Sequence, residues 1–337
     1  MPRAILDVEH VKKSFGHPGR WWVPKGGFRQ TIPAVDDVSF FIRPNETLGL
    51  VGETGCGKTT IGRAILKLTP LDQGRIVFDN VDITAMPPKQ FRPLRRRMQM
   101  IFQDLDAALN PKMRIRSILK EAICVHHRLT DSEIEQRTRE LLEQVNLKKS
   151  KLSNYPGELS GGEKRRVGIA RSLAVGAEFL VADEPTSALD VSIQAQVVNL
   201  MRTLQSELGL SYLFISHDLR IVELISHKVA VMYLGKIVEM GMAGSIADAP
   251  RHPYSHILWS SLVDKRSREG MSEFTCEREQ NRGNFRDRET RSLGCRFAPR
   301  CPVFLDKGCP RECTSPETAP ELRDIGGGHK VACHFPL

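Results

Sequence analysis

The run TLGLV, residues 47–51, leads into Gly52, Glu53, Thr54, Gly55, Cys56, Gly57, Lys58, Thr59 and Thr60. Three glycines in six residues let a turn aim several backbone N–H groups at one anion, and a helix starting directly behind them adds its positive end. The spacing G-x-x-x-x-G-K-[ST] between a strand and a helix is that of a phosphate-binding loop. In such a loop the backbone from Gly52 to Gly57 wraps the phosphates, and Lys58 brings a point charge to the β- and γ-phosphates. The Thr59 hydroxyl can ligand Mg²⁺, with Thr60 next to it.

Other residue types along the chain suit the same chemistry. FLVAD, residues 179–183, is an apolar strand ending in Asp183, with Glu184 next. A carboxylate at a strand tip can hold Mg²⁺, usually through water, and a neighbouring one can orient and activate an attacking water. An acidic pair capping a helix is the plainer account of the same two residues. LSYLFIS ends in Ser216, followed by His217 and Asp218; a histidine there could contact a γ-phosphate. Gln103, behind the strand-like MQMIF, is a neutral hydrogen-bonder able to reach metal or water. LSGGE, residues 159–163, precedes apolar positions at helical spacing, Val167, Ile169, Ala170 and Leu173. Ser160, Gly161, Gly162 and Glu163 can form an anion site at a helix N-terminus, and equally an N-cap.

Eight cysteines form a separate group. Cys295, Cys301 and Cys309, with Cys333 returning later, offer four thiolates, and Cys313 competes with Cys309 for the third place. Four soft sulfur ligands suit an iron–sulfur cluster or Zn²⁺. Residues 295–337 have too few apolar side chains for a core of their own, so a metal centre would supply their fold. Cys56 lies in the glycine loop and needs no metal. Cys124 reads as core and Cys276 as linker.

The elements that must position these groups alternate. Short strands are expected at AILDVEHV, AVDDVSFFI and TLGLVG, a helix over 59–68, helical structure over 115–147 and 164–175, and a helix over 191–208 between two buried strands. KVAVMYLGKIVEMG reads as a hairpin. Such alternation implies a layered α/β domain with some antiparallel strands at its start. From about residue 251 the composition changes: a short helix at RHPYSHILWSSLV, a polar linker over 264–294, then the cysteine-rich tail. The chain has 337 residues and a formal charge of +9, which suits an anionic partner. No apolar run approaches the roughly 20 residues of a spanning helix. The start lacks a signal-peptide core, so a cytoplasmic location with reduced thiols is expected.

Taken in order, the phosphate loop, Gln103, LSGGE, LVADEP, the run Ser187-Ala188-Leu189-Asp190 and His217 resemble the ABC ATPase domain over about residues 5–250. The resemblance implies an α/β P-loop NTPase of ABC type: a RecA-like core with an antiparallel β subdomain and a helical subdomain at about 104–172. The implied division is 1–250 for the ATPase, 251–294 for a helical segment and linker, and 295–337 for a metal-binding extension. ATP and Mg²⁺ are the implied ligands, Mg²⁺ meeting Thr59, Gln103 and Asp183. Glu184 is the implied general base and His217 the switch residue. Phe15 stands where this family stacks adenine, with Trp21 and Trp22 as rivals. In the family two domains pair head to tail, so Ser160 to Glu163 and Asp190 would meet the partner's nucleotide.

QDLDAALNPKM, DVSIQAQVVNLM, RHPYSHILWSSLV and the cysteine-bearing tail resemble, more narrowly, oligopeptide/dipeptide importer ATPases; Leu105 stands where proline is usual. Some relatives carry a [4Fe–4S] cluster in the tail. The implied partners are a second ATPase subunit, identical or paralogous, two membrane permeases and, indirectly, an extracytoplasmic solute-binding protein. The implied location is the cytoplasmic membrane face. A soluble ABC ATPase acting on nucleic acid or ribosomes is the alternative; for the importer, no nucleic acid is expected.

Overall fold

Burial alternates along β1 (Leu6–Gly16) and β2 (Thr31–Ile42) but is unbroken along β3 (Thr47–Val51). Alternation marks a sheet with one wet face, and continuous burial marks a strand covered on both. The computed structural model of the chain describes residues 3–16, 31–125, 129–261 and 294–337. The sequence-expected linker over 264–294, Trp21, Trp22 and Cys276 lie outside the described residues, except for Gly294. After the glycine loop come α1 (Lys58–Ile65), β4 (Gln73–Phe78), β5 (Val81–Asp82), α2 (Pro88–Arg95) and β6 (Met98–Ile101). Helices α3 (Leu105–Ala108), α4 (Ile115–Cys124), α5 (Asp131–Gln144) and α6 (Gly161–Ala174) precede β7 (Phe179–Asp183). Then follow α7 (Val191–Leu208), β8 (Ser211–Ile215), α8 (Leu219–Ile225), β9 (Lys228–Tyr233) and β10 (Lys236–Met242). The last elements are α9 (Ala243–Asp248), α10 (Pro253–Ser260), α11 (Pro302–Asp306), α12 (Arg311–Thr314), β11 (Arg323–Asp324) and β12 (Lys330–Val331).

Contacts divide the chain into two units with interleaved segments: residues 1–9, 40–48 and 61–216 in the first, and residues 10–39, 49–60 and 217–337 in the second. The cysteine-rich extension belongs to the second unit.

In the first unit β6, β7 and β8 run parallel, with Phe179 opposite both Met98 and Ser211. Helix α7 supplies the long crossover that parallel neighbours require. The strands are covered on both faces, which is why they read as solid apolar runs. The tyrosine hydroxyl of fully buried Tyr212 donates to Met201 O at 3.1 Å, so the strand carries no unpaired phenol. The stretch 115–147 is two helices rather than one. Thr130 caps α5 in a reciprocal box with Glu133, which starts a new helix there. Helix α4 turns Ile115, Ile118, Leu119, Ala122 and Ile123 inward and packs on α5 and α6. Cys124, expected in the core, ends α4 on the exposed side.

In the second unit β9 and β10 form the expected hairpin, with Tyr233 opposite Lys236. Leu234 and Gly235 both take positive φ, 42° and 91°, the pairing a two-residue turn needs to match strand twist. The extension does not stand alone: β12 pairs with β10, Glu239 opposite Val331, and β11 pairs with β12. Phe297, Ala298 and Val331 are buried. A tail without a core of its own thus uses this unit's. No helix among the described residues is long and apolar enough to cross a membrane.

Leu213 is fully buried in the middle of β8. Leu213→Ala should cost about 2–5 kcal/mol of unfolding free energy, read as a lowered midpoint in urea with an unchanged slope.

Candidate nucleotide site

Gly52, Gly55 and Gly57 of the loop take φ of 148°, 82° and 113°. Two of them are also packed too closely for a side chain. A Cβ on Gly52 would lie 2.1 Å from Met232 O, and one on Gly57 2.1 Å from Ala34 O. The loop is thus held by its neighbours in the second unit, and Gly235 N–H donates to Cys56 O at 2.8 Å. Lys58 is buried and turns back on the loop, its Nζ donating to Gly52 O at 2.7 Å and Glu53 O at 2.9 Å. Cys56 is buried, which pushes its thiol pKa up and keeps it protonated.

Thr59 and Thr60 open α1. His217 follows β8 and is exposed. Phe15, near the end of β1, is 46% exposed, with Lys13 Nζ 5.5 Å from its ring centroid.

Within the first unit, Asp183 ends β7 and is almost fully buried. Glu184 has φ 46° and its N–H donates to Ile215 O at 2.9 Å. That left-handed turn swings the second carboxylate off the strand line, and Gln103 Nε2 donates to Glu184 Oε2 at 2.9 Å. Two residues 81 apart in sequence are thereby joined.

In LSGGE the cap that its residue types allow is formed. Ser160 Oγ accepts from Glu163 N–H at 3.3 Å, and Glu163 Oε2 accepts from Ser160 N–H at 3.0 Å. This box caps α6, while the N–H groups of its first turn keep no partner inside the helix. Lys151 pairs with Glu163 at 2.9 Å. A Cβ on Gly161 would meet Leu189 at 2.8 Å and one on Gly162 would meet Ile193 at 2.5 Å. The glycines therefore bring α6 hard against the start of α7, where Asp190 caps by accepting from Ile193 N–H at 2.9 Å. LSGGE, which we call the signature, and Asp190 thus adjoin within the first unit.

Arg165 was not singled out from sequence. It is buried in α6 and donates to Phe102 O and Gln103 O, each at 2.8 Å, and to Ser187 Oγ at 3.3 Å. Burial lowers its pKa, yet the guanidinium is satisfied by carbonyls. It ties the signature helix to the Gln103 turn. Its only sequence signal is the basic run at 164–166, which reads as a solvated helix face.

Four of the tail's cysteines converge in the second unit. Cys295, Cys301, Cys313 and Cys333 line one small cavity of about 10 Å³ together with Phe297, Val303, Phe304 and Phe335. Burial pushes the Cys301 and Cys313 thiols up to about 11 and Cys333 up to about 12, and ionised neighbours would add to each shift. Cys309, preferred from its spacing, is exposed, with φ 60°, and does not line the cavity. The one-turn helix α12 carries Cys313 inward instead, and Cys295 N–H donates to Cys313 O at 2.8 Å. Among the described residues, no three or more His, Cys, Asp or Glu side chains are arranged to hold a metal ion as the atoms stand.

The segment before the extension explains its own residue choice. His252 caps α10, its Nδ1 accepting from Tyr254 N–H at 3.0 Å, with Pro253 as first helical residue. Full burial pushes the His252 pKa down to about 3, so the ring stays neutral and able to accept. Buried Glu239 accepts from Arg251 N–H at 2.7 Å and His252 N–H at 2.9 Å, and pairs with His329 at 2.6 Å. Tyr254 is thereby delivered to the phosphate loop, where its hydroxyl accepts from Glu53 N–H at 3.0 Å.

A strand-to-helix phosphate loop, two carboxylates at a strand end and a capped double-glycine helix define a P-loop ATPase of the ABC class. The family described as "ABC transporter" matches residues 35–187, and "Oligopeptide/dipeptide transporter, C-terminal region" matches residues 238–309. The oligopeptide transport ATP-binding protein AppF of Bacillus subtilis is 43% identical over 333 residues, 98% of this chain and 97% of that protein. OppF of the same organism is 48% identical over 264 residues, 78% of this chain and 83% of that one. Among solved structures, cbiO1 from Clostridium perfringens, part of the ABC transporter complex cbiONQ, superposes with a TM-score of 0.63 at 26% identity. The match covers 72% of this chain and 90% of that one. The ATP-binding cassette MJ0796 shares the fold, TM-score 0.62 at 22% identity, over 71% of this chain and 98% of that one. The chain belongs to the ABC transporter ATP-binding subunits, and among them to the oligopeptide/dipeptide importer type.

Replacing Arg165 by Met keeps the stem and removes the donors, leaving the carbonyls of Phe102 and Gln103 short of a charged partner. Arg165→Met should cost about 1.5–3 kcal/mol, measured by denaturant unfolding, and should lower kcat at saturating ATP at least fivefold.

Proposed function

We propose that the chain drives uptake of oligopeptides or dipeptides by clasping ATP between two ATPase subunits. Lys58 and Thr59, with the backbone from Gly52 to Gly57 and Thr60, take the phosphates and Mg²⁺. Asp183 and Gln103 are Mg²⁺ partners, and Phe15 takes the adenine. Glu184 is the general base and His217 the residue that senses the γ-phosphate. The signature residues Ser160, Gly161, Gly162 and Glu163, with Asp190, serve the partner's nucleotide. What carries the proposal is the α6 N-terminus: Ser160 and Gly161 are exposed, and first-turn N–H groups have no partner inside the helix.

ATP then acts as the glue of the pair, and hydrolysis with phosphate release opens it. Permeases docked beside Gln103 and residues 104–120 would convert opening and closing into transport, which places the chain peripherally on the cytoplasmic membrane face. A solute-binding protein outside would choose the cargo. Neither family nor relatives point to nucleic acid or ribosomes.

The extension is proposed to hold a soft metal centre, a [4Fe–4S] cluster, on Cys295, Cys301, Cys313 and Cys333. Four soft sulfur donors lining one pocket are the residue types such a group takes, and they would have to close on it as it bound. When bound it would tie the returning tail together; the chain's residues supply the thiolates and the apolar wall. Iron and acid-labile sulfide in anaerobically purified protein, lost in Cys313→Ser and kept in Cys309→Ser, is the expected result. Stoichiometric zinc, or equal loss in both variants, would overturn it.

Glu184→Gln should bind MgATP, accumulate as a dimer by size-exclusion chromatography, and turn over at least 100-fold more slowly. Normal turnover in that variant would remove Glu184 from its role; a strictly monomeric chain with full ATPase activity would remove the clasp.

A further inference from the structure

The phosphate-loop pattern leaves its second position open to any residue, yet here Glu53 is held through every polar group it has. Its N–H donates to Tyr254 Oη at 3.0 Å and its carbonyl accepts from Lys58 Nζ at 2.9 Å. Its carboxylate takes two parallel bonds from Arg300, Nη1 to Oε2 at 2.9 Å and Nη2 to Oε1 at 2.8 Å. Arg300 belongs to the extension, immediately before Cys301. Its guanidinium rests 5.8 Å from the ring centroids of both Tyr233 and Phe297. Those rings pack edge to face at 5.3 Å, and Tyr254 packs on both.

Arg296, immediately after Cys295, makes the matching tie. It pairs with Asp36 and donates to Leu234 O at 2.6 Å. Asp36 N–H donates to Gly235 O, and Gly235 N–H to Cys56 O, each at 2.8 Å. The segment 295–301 therefore reaches the glycine loop by two routes, and both use an arginine next to a cysteine.

An exposed ion pair ordinarily contributes little. This one is a planar fork on a carboxylate, half-buried against aromatic faces, and it sits on a loop whose ligand is a polyanion. Without Arg300, a carboxylate would stand unneutralised beside the phosphates and repel them.

We propose that Arg300 of the extension is a positioning residue for nucleotide binding: it withdraws the Glu53 carboxylate from the phosphate field, so that ATP affinity depends on the folded extension. The proposal rests on the nucleotide reading of the glycine loop, and its test separates the two.

Titration calorimetry of the full chain with MgADP and MgATP, with ATPase kinetics, supplies that test. Arg300→Ala should raise Kd and KM about tenfold and leave kcat within twofold. Arg300→Lys, which keeps charge but not the fork, should fall between. Glu53→Gln should bind at least as tightly as the unaltered chain, and adding Arg300→Ala to it should change Kd less than twofold. Raising the salt to 1 M, where screening acts over about 3 Å, should shrink the Arg300→Ala penalty. A Kd within twofold of the unaltered chain in Arg300→Ala, or the same tenfold loss in the Glu53→Gln background, overturns the proposal. The second result would make Arg300 a strut of the fold only. Weaker binding by Glu53→Gln alone, beyond threefold, overturns it too, and needs no Arg300 variant to fold. Failure of the unaltered chain to bind either nucleotide would overturn the nucleotide reading itself.

Discussion

The first turn of a helix has N–H groups that the helix cannot pair, and two such turns here adjoin glycines. One follows the glycine loop into α1 and the other is the capped start of α6. Each is held in shape by contacts that exclude a side chain. Gly52 and Gly57 lie against main-chain carbonyls of Met232 and Ala34, and Gly161 and Gly162 against Leu189 and Ile193. The glycines thus do two jobs at once: they allow the backbone its turn, and they let a neighbour come close enough to fix it.

In the first unit the fit spreads from α6. Arg165 reaches from the signature helix to the carbonyls of Phe102 and Gln103 and to Ser187, and Gln103 in turn donates to Glu184. A shift of α6 would carry the Gln103 turn with it, because the fork of a buried arginine is costly to leave unpaired. Gln103, the carboxylate at the strand end and the signature are joined by hydrogen bonds within one unit, so a change at one is felt at the others.

The second unit explains why a tail without a core is ordered. Glu239, fully buried in β10, accepts from two backbone N–H groups before α10 and pairs with His329 from the tail. A buried carboxylate is tolerable only when so satisfied. The same arrangement sets His252 as a neutral cap and sends Tyr254 to Glu53. The residues that make the segment recognisable in sequence are therefore those that join sheet edge, tail and phosphate loop.

By itself, the sequence determined whatever depends on neighbours in the chain. The glycine loop between strand and helix, the solid apolar strands, the Ser160 cap and the β9–β10 hairpin all follow from spacing over a few residues. Their backbone conformations and unpaired groups are local properties, and so their chemistry was legible. Spacing also kept Cys309 and Cys313 open as rivals, left Arg165 unremarked and read Cys124 as core. Only the tertiary structure decided these, because they turn on where the chain returns. The β10–β12 register brings the tail back so that Cys313 points inward while Cys309 remains exposed. The Arg300–Glu53 pair spans 247 residues. Contacts of that separation are set by packing of whole elements, and no local pattern encodes them.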